Sequence, residues 1–206
     1  MAAFQSDLDT LRAEIAMAAA RMIAEDGSDY HTAKRKAAKQ ILGDRKVGSD
    51  ILPDNAQVEN EVRQYNELFF ADTQPARLLH LRKLALQLME ELDQFKPHLT
   101  GAVLNGTAGE HSDIHLQLFA ESAKEVEIYL INHNINFEVS ESSHFGNRNK
   151  SVEVLSFMWK NEGIHLALYE IDDMRGAFKG GAENGTGKRP ERANADTIRA
   201  LISEND

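Results

Sequence analysis

The chain has 206 residues, 42% of them apolar and none of them cysteine, with a formal net charge of −10. The apolar fraction suffices for a real core in one large domain, or one domain with a substantial extension. The absence of cysteine excludes disulfides and thiolate chemistry, and the acidic balance disfavours general nucleic-acid binding, which draws most of its non-specific affinity from attraction to phosphate.

In chain order, the first half reads as helix. Ser6 is placed to cap a first helix, with Leu8, Leu11, Ile15, Met22 and Ile23 approximating an apolar stripe and Gly27 ending it. A second helix is expected over 29–42, with Ala33, Ala37, Ala38 and Ile41 inward and Gly43 as its stop. Gly48 to Pro53 reads as a linker. Asn55 is the expected cap of a third helix carrying Val58, Val62, Tyr65 and Phe69. Thr73 and Pro75 start a fourth, since proline is tolerated in a first turn, and Leu78, Leu81, Ala85, Leu88 and Leu92 form its buried face.

Pro97 ends the helical half. Beyond it the period changes to alternation, which predicts strands at Leu99–Asn105 and Ile114–Phe119, a helix at Glu121–His133 and a strand at Asn136–Val139. Ser140 to Lys150 reads as a loop. Val152–Trp159 and Ile164–Ile171 alternate around Asn161-Glu-Gly163, a hairpin signature. Residues 180–190 are a glycine-rich loop, and Ala195–Ile202 a last short helix. The expected class is therefore α+β, with a helical region at 1–97, a mixed-sheet domain at 98–178, and a polar loop and helix at 179–206 packing on the body.

The stretch from Leu104 to Phe119 carries the densest chemical signal. Gly106 and Gly109 permit a sharp turn and close backbone approach to a ligand. Thr107 offers a hydroxyl beside backbone N–H groups, which suits a phosphate. Asp113 and His115, two apart on a strand, point to one face.

This layout resembles the nucleotidyltransferase superfamily, whose pattern is a Gly-Ser or Gly-Thr turn followed by Asp-x-Asp on the next strand. Gly106-Thr107 resembles the turn, and Ser112-Asp113-Ile114 the start of the acid motif. The chain departs from the pattern in a short spacer and in His115 standing at the second acid. Over most of its length, Pro97–Ala108, His111–Phe119 and Ala33–Gln40 also look like an uncharacterised proteobacterial family whose members are often labelled UDP-N-acetylmuramate–alanine ligase. The chain lacks the phosphate loop such a ligase needs: Gly185-Thr-Gly-Lys-Arg-Pro190 has no hydroxyl residue after its lysine and a proline where the helix should begin.

The superfamily resemblance implies divalent metal, Mg²⁺ or Mn²⁺, held by three acids, so Asp113, His115 and Glu153 form the expected metal and catalytic set, with His165 and Glu170 as rivals for the third place. Gly106, Thr107, Gly109 and Ser112 are the expected ligand contacts. Imidazole at the second position suits Mg²⁺ poorly. This favours a nucleotidyltransferase-like protein with an incomplete metal site, binding a nucleotide or other phosphorylated ligand or acting in regulation, over an active nucleotidyltransferase using Asp113 and Glu153.

Other residues are less specific. His111 lies in the turn, Trp159 reads as core, and Arg175 as a partner of Asp172-Asp173. Segment 31–46 sets Lys34, Arg35, Lys36, Lys39, Arg45 and Lys46 against Asp44; it reads as a solvated helix face, or as a docking patch for RNA or an acidic protein partner. With no run of about 18 apolar residues, no membrane contact is expected. No signal peptide is visible, so the expected location is cytoplasmic.

Overall fold

The computed structural model describes residues 2–43, 51–147, 149–174 and 192–204. Its first helices precede a mixed six-stranded sheet that carries further helices between and after its strands, an α+β arrangement as the switch in periodicity at Pro97 predicts. No helix among the described residues is long and apolar enough to cross a membrane. The elements divide into two compact units, one of 1–77 with 107–111, the other of 78–106 with 112–206. Most of the fourth helix belongs with the sheet, and the segment Thr107–His111 belongs with the first three helices.

In the helical unit, α1 (Ala2–Asp26), α2 (Tyr30–Leu42) and α3 (Asn55–Phe69) share a core of Ile15, Ala16, Ala19, Ala20, Ala33, Ala37, Ala38, Val58 and Val62. Alanines at so many contact positions let the helix backbones approach closely. α1 already runs through Ser6, which is therefore an interior position and no cap. The cap of α3 is Asp54, one residue before the expected Asn55; Asp54 accepts from Gln57 N while the Gln57 side chain accepts from Asp54 N, a reciprocal capping box. Part of the basic segment, Arg45 and Lys46, lies outside the described residues, as do Arg175 and the 180–190 loop; Lys34 is turned to Pro53 O and Asn55 Oδ1.

The helix α4 (Gln74–Glu91) begins in the helical unit and continues into the sheet unit, where a 3-10 turn, Asp93–Phe95, follows it. β1 is only His98–Thr100. The expected strand through Asn105 is instead a short helix, α5 (Gly101–Asn105), entered at Gly101 with φ 71° and closed by Gly106 with φ 88°. Two left-handed glycines bracket the segment and force the chain off the strand path. Buried Arg82 holds α5 by donating Nε to Val103 O and Nη2 to Leu104 O.

The sheet continues with β2 (Ile114–Ala120), then α6 (Ala123–Asn132), β3 (Glu138–Ser143), β4 (Ser151–Trp159), β5 (Glu162–Glu170), β6 (Arg192–Ala193) and α7 (Ala195–Ser203). β3 extends into the segment read as a loop from Ser140. The strand order is β3-β4-β5-β2-β1-β6, with β2 and β5 parallel and the other pairs antiparallel. One face buries Leu99, Ile114, Leu116, Leu118, Leu155, Ile164, Leu166 and Leu168, and α6 packs against β2 and β5. The opposite face carries the polar residues considered next.

Candidate functional site on the sheet face

Strand register assembles the site. His115 of β2 pairs with His165 of β5, His165 with Ser156 of β4, and His115 with Thr100 of β1. Cross-strand partners share a face, so Ser156, His165, His115 and Thr100 form one row across four adjacent strands. His115 and His165 are among the residues expected from the sequence; Ser156 and Thr100 are not. A two-residue turn at Lys160 and Asn161, with φ 50° and 68°, sets this register, because both central residues must adopt positive φ in such a hairpin. The strands expected at Val152–Trp159 and Ile164–Ile171 leave a longer connection, which would set Trp159 against Ile164 and His165 against Met158 in place of Ser156.

Asp113, one residue before β2, completes the cluster. Its Oδ2 lies 3.0 Å from His165 Nε2, and His165 Nδ1 lies 2.8 Å from Ser156 Oγ. The carboxylate only accepts, so Nε2 carries the proton that it receives; in the neutral ring Nδ1 is then the acceptor for the Ser156 hydroxyl. The three groups make a directional hydrogen-bond chain, serine to imidazole to carboxylate. His115 stacks on His165 with centroids 4.7 Å apart and planes 15° from parallel. Thr100 Oγ1 donates to the His115 carbonyl at 3.2 Å.

The His115 pKa is pushed down to about 4, first by burial and then by the charge of His165, with Asp113 acting in the opposite direction. His115 is exposed as a residue, which limits the burial effect. The stacked neighbour acts in the same direction as burial, and His115 is a neutral imidazole at pH 7.

Gly163 makes room for Asp113. A side-chain carbon at Gly163 would overlap Asp113 Oδ1 and lie 2.6 Å from its Cγ. The absent side chain at 163 and the carboxylate at 113 are thus two halves of one feature.

The expected three-residue metal set does not assemble. Asp113 and His115 lie beside His165, but Glu153 alternates to the other face of β4, where its partner on β3 is Glu141, and β5 separates β4 from β2. Glu153 instead lines a cavity of about 320 Å³ with Lys150, Glu170 and Asp173. Glu170 pairs with Lys150 at 3.1 Å and sits at the far end of β5. Of the rivals, His165 is the one that reaches Asp113. No group of three or more His, Asp or Glu side chains is placed to hold a metal among the described residues. The donor set also fits Mg²⁺ or Mn²⁺ poorly: one carboxylate, already paired, beside two imidazoles.

The expected ligand turn is divided as well. Gly106 closes α5 and Ser112 is half-buried, both in the sheet unit; Thr107 and Gly109 belong to the helical unit. Thr107 is only 4% exposed, and its carbonyl accepts from Asn66 Nδ2 at 3.2 Å, so it is built into the interior of that unit and does not present its hydroxyl on a turn surface. His111 is exposed, and Trp159 is half-buried with Lys160 Nζ 4.4 Å from its ring centre.

The sequence matches no protein-family model and no curated protein.

Proposed function

We propose that this is a nucleotidyltransferase-like protein with an incomplete metal site, whose sheet face binds a nucleotide or another phosphorylated ligand without transferring it. The observation that carries the reading is the pairing of Asp113 with His165. The carboxylate that a metal would need is engaged by an imidazole, His115 occupies the place of a second acid, and Glu153 points to the opposite face. The resemblance around Asp113 and the mixed sheet support the scaffold. Of the row Thr100, His115, His165 and Ser156, the first, third and fourth donate within the protein; His115, exposed at its centre, supports ligand binding, because an imidazole N–H donates to phosphate oxygens. The alternative, transfer through Asp113 and Glu153, needs two carboxylates on one face.

The test is calorimetric titration of ATP into the full chain with and without Mg²⁺. The reading expects binding that Mg²⁺ does not strengthen in the wild type. In His115→Asp, two carboxylates in one place add negative charge that Mg²⁺ compensates, so binding there becomes metal-dependent, and adding Asp113→Asn removes that gain. Magnesium-stimulated nucleotidyl transfer by the wild type would contradict the reading. A lack of ATP binding by every variant would remove the nucleotide from it.

A further inference from the structure

We propose that the cleft of the helical unit is a second ligand site, built for a linear polyamine. The cleft has a volume of about 750 Å³, within the range of small-molecule sites, roughly 300–1,000 Å³. Its wall comes from the last turns of α1 and α3, the start of α4 and the segment Gly109–His111, all residues of that unit.

Two features give it negative potential. The C-terminal ends of α1 and α3 both reach it, and neither has a basic residue in its last turn. A helix C-terminus bears a partial negative charge that a cation normally offsets. Glu25, Asp72 and Glu110 add three carboxylates. Glu25 stays ionised: hydrogen bonds from Tyr65 and then Arg21 hold its carboxyl below the usual range. On the positive side stand the N-terminus of α4 and Arg77, whose Nη2 is committed to the Glu110 carbonyl at 3.0 Å, while Arg21 faces Glu25 from the same helix. The negative contributions outnumber the positive ones.

The apolar part of the wall is aromatic. Phe69 is 64% exposed although its ring packs 4.5 Å from that of Tyr65, and Phe70 lies beside the same tyrosine. Ring faces attract ammonium groups and accept methylene chains. Carboxylates spaced around an aromatic wall suit a ligand that alternates ammonium groups with short alkyl stretches. A single metal ion would leave the aromatic wall unused, and an anion would meet two helix C-termini and three acids.

The experiment is calorimetric titration of spermidine into the full chain at fixed ionic strength. The expected result is saturable one-site binding that weakens by about tenfold or more in both Phe69→Leu and Asp72→Asn. Both side chains are exposed, and thermal melts of each variant confirm an intact fold before titration. Asp196→Asn, an exposed acid in α7, should bind as the wild type does. Equal binding by all four proteins would mean diffuse attraction to an acidic chain and overturn the proposal. So would no saturable binding, or preference of the cleft for phenyl phosphate over spermidine.

Discussion

Gly163→Ala probes the seating of Asp113 without replacing any polar group of the site. The added carbon would overlap Asp113 Oδ1, sit 2.6 Å from Cγ and 3.1 Å from Oδ2. Carbon and oxygen normally stay more than 3 Å apart, so something must move. The Asp113 side chain is 45% exposed and rotates more readily than the paired strands shift. Rotation forfeits the hydrogen bond to His165, worth roughly 1 kcal/mol at a half-exposed charged pair. Loss of glycine's freedom in the unfolded chain returns about 0.5 kcal/mol. The expected net loss is therefore below about 1 kcal/mol, against about 1–3 kcal/mol if the backbone were forced to yield. Urea denaturation measures that difference, and imidazole ¹⁵N spectra report whether Nε2 of His165 still donates to a carboxylate. In an Asp113→Ala background the same substitution should be neutral or stabilising, since the obstructed atoms are gone. An unchanged His165 spectrum in Gly163→Ala, with unchanged stability, would refute the argument that Gly163 exists to seat Asp113.

His115 should titrate well below an ordinary histidine in a proton NMR titration, and His165→Ala should raise its midpoint by removing the opposing charge, whereas Asp113→Asn should lower it further. Because the folded pKa is depressed, the unfolded chain binds more protons between about pH 4 and about pH 6.5, so stability falls as pH drops through that window; the contribution of this exposed residue is about 1 kcal/mol, read as a drop in urea midpoint that His115→Gln abolishes. Ser156→Ala should cost about 1 kcal/mol in urea denaturation by leaving the half-buried His165 Nδ1 without its donor. Arg82→Met should cost about 2 kcal/mol or more, because two α5 carbonyls lose a buried charged donor; a loss near zero would show that α5 does not depend on it.

The helices were legible because their apolar residues recur at helical spacing and because Gly27 and Gly43 punctuate them, although the cap of α3 is Asp54 and not the expected Asn55. Periodicity also located β2, β4 and β5. It failed at Gly101–Asn105, where five residues with only Val103 β-branched fit a short helix as well as a strand, and the decision rests on left-handed backbone at Gly101 and Gly106. It failed again for the third site residue. Strand order and face alternation decide which acid approaches Asp113, and neither can be read from a single strand's composition; Glu153 opens a strand resembling β2 yet faces away. His165 was within reach of the sequence as a rival. Ser156 would have followed from a two-residue turn at Lys160-Asn161, where non-glycine residues at positive φ gave no strong turn signal.

The most direct test of the account is to follow the imidazole signals of His115 and His165 in ¹H–¹⁵N spectra while ATP is added to metal-free protein, then to add Mg²⁺. A metal-free phosphate site on the sheet face predicts saturable shifts at both rings with ATP alone and no further change with Mg²⁺. Rings that stay still with ATP alone and move once Mg²⁺ is present would contradict it, and would return Asp113 to the role of a metal ligand.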